Sequence, residues 1–241
     1  MKFTKSLIKG KLVKRYKRFF ADIQLDNKLV TAHCPNTGSM LGLLDEGNKV
    51  YLSESDNEKR KLKYTLEVIK LKSKHVGVNT HRTNRIVEKA LNEKVFTFIK
   101  NIKEIRREVK YGENSKIDFL VTTSKEQAYI EVKNVTLARN ISVAEFPDAV
   151  TARGTKHLIE LGKLKKKGIR PIMLYIVQRD DCESFQLAKD IDQEYYKNFL
   201  LAKKGGVGPT ELLPGLKLYN SKGVESKKAS LLSEEGILNF Y

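Results

Sequence analysis

Residues 117–134 read IDFLVTTSKEQAYIEVKN, two short apolar runs joined by a polar turn. Ile117, Phe119 and Val121 belong to the first run, and Tyr129, Ile130, Val132 and Val135 to the second. Asp118 interrupts the first run, and Glu131 and Lys133 interrupt the second. Burying an unpaired charge is costly, so the three residues ask for partners. Side chains two apart on a strand share a face, so Glu131 and Lys133 project together while Ile130 and Val132 project to the other side. If the runs pair antiparallel, Asp118 lies beside Glu131. Adjacent carboxylates repel unless a cation sits between them. Mg²⁺ suits such a place, with Mn²⁺ as an alternative: it is hard, takes oxygen ligands and keeps waters for chemistry. The carbonyl of residue 132 offers a further oxygen. Lys133 would then stand at the rim, placed to orient an attacking water and to support charge developing on a phosphate. Glu88, on a preceding helix, is the candidate third acid. The metal set is therefore Asp118, Glu131 and Glu88, and Lys133 completes a catalytic set. The bland alternative is a solvated sheet face with a Glu131–Lys133 pair worth about 0.2–1 kcal/mol.

The charge balance points the same way. Lys and Arg total 46 against 29 Asp and Glu, a formal net charge of +17. Such a surplus draws polyanions, although lysine-rich background composition would also produce one. The excess is concentrated at the start of the chain. There Lys14, Arg15, Tyr16, Lys17 and Arg18 mix cations with aromatics, and Phe19 follows. That mixture suits DNA backbones or single strands, without strong sequence specificity. Arg82, within GVNTHRTN, is a further candidate phosphate contact, or a helix cap. Lys156 and His157, near the start of a long helix, are others, because helix N-termini favour anions. The turn in HCPNTGSM carries small donors but is by itself only a turn.

Several classes lose support. There is no P-loop, nucleophile-elbow, zincin or dinucleotide-binding motif. No run of about eighteen apolar residues predicts a membrane span, and the basic N-terminus lacks the apolar core of a signal peptide. Two distant cysteines, Cys34 and Cys182, fit a reducing compartment, so a cytoplasmic location is expected. A metal site at His33–Cys34 is disfavoured, because neighbours on a strand point apart and no second pair has ligand spacing.

The elements that must position these residues fall into two textures. Residues 1–75 carry short β-branched and aromatic runs separated by turn residues, at 11–26, 28–34, 48–55 and 62–71, which predicts a small barrel or sandwich; a five-stranded barrel of OB type fits the length and the basic face. Residues 76–241 alternate helices and strands, which predicts an α/β domain. The expected helices cover 83–94, with Thr83 or Asn84 as cap, 146–168, ending at Gly168, and 190–206. A strand buried on both faces is expected at 169–178. Beyond about residue 207 only a short strand near LKLYN is legible.

Several blocks, RYKRFFADI, HCPNTGSM, YTLE, GVNT, KIDFL, EVKNVTL, FPDAVTARGTKHL and IVQRDD, resemble the sugar fermentation stimulation protein A (SfsA) family from about residue 3 to residue 200. The resemblance implies an N-terminal OB-like domain followed by a domain similar to PD-(D/E)xK nucleases. It implies DNA binding and a link to sugar-utilisation genes, notably those of maltose metabolism. By motif it carries the nuclease signature onto Asp118, Glu131 and Lys133, with Glu88 as the helix acid, and places Lys156 and His157 in the RGTKHL block. The family's usual YTWE reads YTLE here, so Leu66 replaces an aromatic, either as a lost stacking surface or as a core exchange. The functional expectation is a DNA-binding protein with a Mg²⁺-dependent phosphodiesterase site; the alternative is a non-catalytic DNA-binding regulator of sugar metabolism.

Overall fold

In a computed structural model the described residues are 3, 5–96, 98–111, 115–140, 142–165, 169–205 and 207, together with the backbone of 211–214, 217–219, 223–225, 231–233 and 236–238. The chain begins with a hairpin, β1 (Ile8–Tyr16) and β2 (Phe20–Leu25). Its turn lies where the sequence reads as one continuous run. Lys17 and Arg18 take left-handed φ values of 47° and 62° there, which is uncommon for non-glycine residues. Then follow β3 (Lys28–His33), β4 (Lys49–Glu54), β5 (Tyr64–Leu71) and β6 (Lys74–Gly77). They hydrogen-bond in the order β3-β2-β1-β4-β5-β6, and β3 also pairs with β5, which closes five strands into a barrel. Leu12, Ile23, Leu52, Leu66 and Ile69 fill it, each with no exposed surface. Leu66 is therefore a core exchange and offers no stacking surface.

The second half is built around a mixed sheet. After α1 (His81–Asn92) come β7 (Ile102–Tyr111), β8 (Ser115–Thr123), β9 (Gln127–Val135), β10 (Leu137–Asn140) and β11 (Ser142–Phe146). Next are α2 (Ala152–Lys165), β12 (Arg170–Val177), β13 (Cys182–Leu187) and α3 (Gln193–Lys204). The backbone continues with β14 (Glu211–Pro214), β15 (Lys217–Tyr219), β16 (Gly223–Glu225), β17 (Leu231–Ser233) and β18 (Gly236–Leu238). The strand expected near LKLYN is β15. The large sheet runs β18-β17-β14-β12-β9-β8-β7, with β9, β12 and β14 parallel. α1 covers one face over Phe119, Val121, Ile130 and Val132. The other face packs Ile117, Leu120, Val135 and Tyr175 against Leu158 and Leu161 of α2 and Phe199 of α3. No described helix is long and apolar enough to cross a membrane.

Three expectations change. Neither Thr83 nor Asn84 caps α1. The helix begins earlier, with Thr80 at its N-cap and no side-chain capping bond, because both side chains are used elsewhere. The second helix does not begin at Phe146, which ends β11 opposite Leu187. It begins after Thr151, whose hydroxyl accepts the Gly154 N–H at 3.1 Å. Gly168 lies outside the described residues. A small sheet, β10-β11-β13, is not expected from the sequence at all. Cys34 and Cys182 are both free and buried.

Barrel and α/β domain are clipped together at two places. Gly77 N–H donates to the Gln178 carbonyl at 2.8 Å and His75 N–H donates to Asp180 at 2.8 Å, so β6 runs beside the end of β12. On the other side, Met40 N–H donates to the Asp148 carboxylate at 3.1 Å and the Ser39 hydroxyl to the Asp148 carbonyl at 2.6 Å.

Candidate functional site

β8 and β9 pair antiparallel through Phe119↔Ile130, Leu120↔Tyr129, Val121↔Ala128 and Thr122↔Gln127. One step beyond, the strands part, and that is where Asp118 and Glu131 face each other. With β8 gone from this edge of β9, the Val132 N–H needs another acceptor. Asp118 Oδ2 supplies it at 2.7 Å, and Asn84 Nδ2 of α1 donates to Oδ1 at 2.8 Å. Burial, then the charge of Glu131, raises the Asp118 carboxyl to about 6 despite these bonds.

Glu131 is 4% exposed. Lys133 Nζ donates to its Oε1 at 2.8 Å, which fits the shared face that the strand period predicts. His157 Nδ1 bonds the same oxygen and lies 3.2 Å from Lys133 Nζ. Burial would raise Glu131, but Lys133 and then His157 outweigh it and hold the carboxyl low. Its second oxygen, Oε2, is buried and has no hydrogen-bond partner among the described residues. The Tyr111 hydroxyl and Glu160 Oε2 are also buried, close enough to each other that Glu160 acts on the Tyr111 phenol. Burial, then the charges of Glu131, Glu160 and Asp118, push the Tyr111 phenol up, so these oxygens share one neighbourhood.

Asp118, Glu131, Lys133 and His157 line the floor of a cavity of about 540 Å³ whose walls come from both domains. Arg18, Asn36, Thr37 and Gly38 contribute from the barrel, and Asp148 to Arg153 from the segment entering α2. Asn134, next after Lys133, also lines it; its Oδ1 accepts from Thr83 Oγ1 at 2.9 Å and from Gln178.

Other residues named from sequence are placed differently. Glu88 does not line the cavity; it pairs with Arg107 of β7 at 3.1 Å. Among the described residues, no three His, Cys, Asp or Glu side chains gather as a ligand cage. Arg82 is spent on Glu67 of the barrel, at 2.5 and 2.8 Å, and lies over the Phe3 ring. Arg15 braces the HCPNTGSM turn, donating to the carbonyls of Asn36 at 2.7 Å and Gly38 at 3.1 Å. Both are ties within the molecule rather than free phosphate contacts. Tyr16 stacks on Phe20, and Lys14 lies over the Tyr16 ring and 3.9 Å from Asp22. Lys17 and Arg18 are exposed, and Arg18 reaches the cavity. Lys156 is exposed and pairs with Glu160 at 3.7 Å, whereas His157 is buried against Glu131. Its burial had a legible signal: His157 lies four and seven residues before Leu161 and Leu164, on the apolar face of α2. Asn84 as a partner of Asp118, and Arg153 at the rim, carried no such signal.

With this geometry in place, residues 13–78 match the family described as SfsA N-terminal OB domain, and residues 81–212 match the sugar fermentation stimulation protein RE domain. The chain belongs to the sugar fermentation stimulation protein family. A sugar fermentation stimulation protein homolog of Pelagibacter ubique is 56% identical over 207 residues, 86% of this chain and 89% of that one. Homologs of Maricaulis maris and Ruegeria pomeroyi are 47% and 48% identical, again over 86% of this chain and about 90% of theirs. Among solved structures, Pyrococcus furiosus SfsA in complex with Ca²⁺ superposes with a TM-score of 0.87 at 23% identity, covering 97% of each chain. The SfsA fold, an OB barrel joined to an α/β domain, is thus shared along the length of the molecule.

Proposed function

We propose that this member of the sugar fermentation stimulation family binds DNA and hydrolyses a phosphodiester at the cavity between its two domains. The observation that carries the reading is Glu131 Oε2, a buried carboxylate oxygen without a partner on the floor of that cavity. A fully structural carboxylate would have its oxygens satisfied. Here one oxygen is held by Lys133 and His157, the other has no partner among the described residues, and the charge of Glu131 helps to raise the neighbouring Asp118 carboxyl. A divalent cation fits this donor set of hard oxygens: Asp118, Glu131 and the Val132 carbonyl would hold it. The Pyrococcus furiosus protein was solved in complex with Ca²⁺, a hard divalent cation of the same chemical class. When bound, Mg²⁺ supplies Lewis-acid polarisation of phosphate and activation of water. Lys133 keeps a cation beside the reacting phosphate and orients the nucleophile. His157 holds Glu131 in place. The net charge of +17 draws the polyanion.

A second reading, DNA binding without cleavage, is favoured by one specific observation. Glu88, the third acid expected from the motif, is held away by Arg107. The test is a panel of duplex, single-stranded, flapped and branched DNA, incubated with Mg²⁺ or Mn²⁺. Cleavage of some member, lost in Glu131→Gln and in Lys133→Ala while binding persists, is expected. Salt-sensitive binding with every substrate intact would leave the non-catalytic reading standing. Binding to no DNA at low salt would end both.

A further inference from the structure

We infer that the strand which reaches the cavity is single-stranded DNA, and that the barrel excludes duplex from the floor. The inference rests on the DNA-binding reading above and adds the substrate class. Three observations lead to it.

The first is depth. Glu131 is 4% exposed and the Lys133 side chain 12%, beneath walls from two domains. A duplex is a stiff rod with a persistence length of about 150 base pairs. For its phosphate to touch the floor, the flanking base pairs would have to enter the walls as well. A single strand bends within a few nucleotides and can splay its bases outward.

The second is that the walls are fixed. The turn at Pro35–Ser39 is tied to Asp148 through the Met40 N–H and the Ser39 hydroxyl. Contact there is close enough that a Cβ on Gly38 would lie 2.8 Å from the Asp148 carboxyl carbon. Arg15 holds the same turn from behind through the Asn36 and Gly38 carbonyls. On the far side Gly77 and His75 clip the barrel to Gln178 and Asp180. Swinging the barrel aside to admit a rod would break both sets of bonds.

The third is what the rims carry. Arg18, from the β1–β2 turn, and Arg153, in the first turn of α2, line the cavity from the two domains. Neither side chain makes an ion pair or donates a hydrogen bond to another described residue. Both are therefore available to phosphates at the cavity. Beside Arg18, Phe19 is 44% exposed at the tip of the turn. An exposed phenyl ring next to a free guanidinium is a platform on which an unpaired base stacks, and a base inside a duplex cannot use it.

The experiment is fluorescence anisotropy in EDTA with a labelled single-stranded oligonucleotide, competed by unlabelled single strand or by relaxed, covalently closed duplex at equal nucleotide concentration. Wild type should hold the single strand at least about tenfold tighter than the closed duplex. Phe19→Ala should weaken the single strand about tenfold and leave the duplex unchanged. Arg153→Gln should weaken the single strand and flatten its salt dependence. Circular dichroism on each variant establishes that it is folded. Closed duplex that competes as well as single strand overturns the inference and leaves the DNA-binding reading intact. Equal losses for both forms in Phe19→Ala overturn it as well. If neither form binds at low salt, the underlying reading fails and takes the inference with it.

Discussion

Two buried glutamates, Glu67 in the barrel and Glu131 in the α/β domain, are 2% and 4% exposed. Their surroundings differ. Glu67 Oε1 accepts from Ser53 Oγ at 2.6 Å and Arg82 Nη2 at 2.8 Å, and Oε2 accepts from Arg82 Nε at 2.5 Å and Asn79 Nδ2 at 2.9 Å. Both oxygens are satisfied, and the cluster ties β5 to the start of α1. Glu131 Oε1 has Lys133 and His157, and Oε2 has no partner among the described residues. Burial alone therefore does not mark a site, since both residues are buried alike. The mark is an incomplete network beside a second carboxylate that burial and repulsion have raised to about 6. A finished network stiffens the fold; an unfinished one leaves a place for a ligand.

Exchanging the roles of the two glutamates should separate these effects most sharply. On the proposed hydrolytic reading, Glu131→Gln is expected to cut the rate of DNA cleavage by about 100-fold or more, because it removes a charged group at the proposed reacting centre. Glu67→Gln should leave the rate per folded molecule near wild type. Equal losses of rate would mean that Glu131 is only structural.

Stability should run the other way. Glu67→Ala leaves Arg82 unpaired and is expected to cost about 3–5 kcal/mol in urea unfolding. Glu131→Gln should cost less than that, because the amide oxygen can still accept from Lys133 and the repulsion of Asp118 is relieved. A Glu131 variant as unstable as the Glu67 variant contradicts the comparison.

Asp118 gives a pH-dependent test with a definite sign. Its carboxyl titrates near 6 in the fold against an ordinary value of 3.8. Between those values the native state binds more protons than the unfolded chain, so this group lowers stability as pH rises through the interval and the loss persists above it. Asp118→Asn should therefore be more stable than wild type by about 1–3 kcal/mol at pH 8, with the difference vanishing near pH 4. A gain of the same size at both pH values would refute the assignment.

The smallest expected effect is that of the cation itself. Millimolar Mg²⁺ should stabilise wild type by about 1–2 kcal/mol in thermal unfolding, by mass action on the native state. The same addition should do little for Asp118→Asn. A shift that survives the substitution would place the cation elsewhere.

The placement of the charged side chains at residues 117–134 was legible because it follows from local geometry. A strand period of two puts Glu131 beside Lys133, and the antiparallel register then brings Asp118 opposite Glu131, as Phe119↔Ile130 requires. The strands of the first half were legible for a similar reason, as short β-branched and aromatic runs between turn residues, but whether they made a barrel or a sandwich was decided by the β3–β5 pairing. The break at Lys17–Arg18 was not legible, because those residue types do not announce left-handed φ. Nor was the fate of the basic residues. Arg15, Arg82 and Arg18 are equal as letters, yet Arg82 meets Glu67, Arg15 meets the carbonyls of a turn, and Arg18 meets a cavity. Which acceptor a long cation finds depends on segments distant in sequence, and a composition of +17 cannot sort them. Glu88 likewise carries the right chemistry and lies on the expected helix, but Arg107 across the helix–sheet boundary takes it. The sequence alone thus determined which residues share a strand face and which runs must be core, since these follow from the spacing of side chains along the backbone. Only the tertiary structure decided which charges are spent and which are left free, because pairing is settled by distance in space, where the barrel turn at Asn36–Gly38 becomes a wall of a site built on residues 118–133.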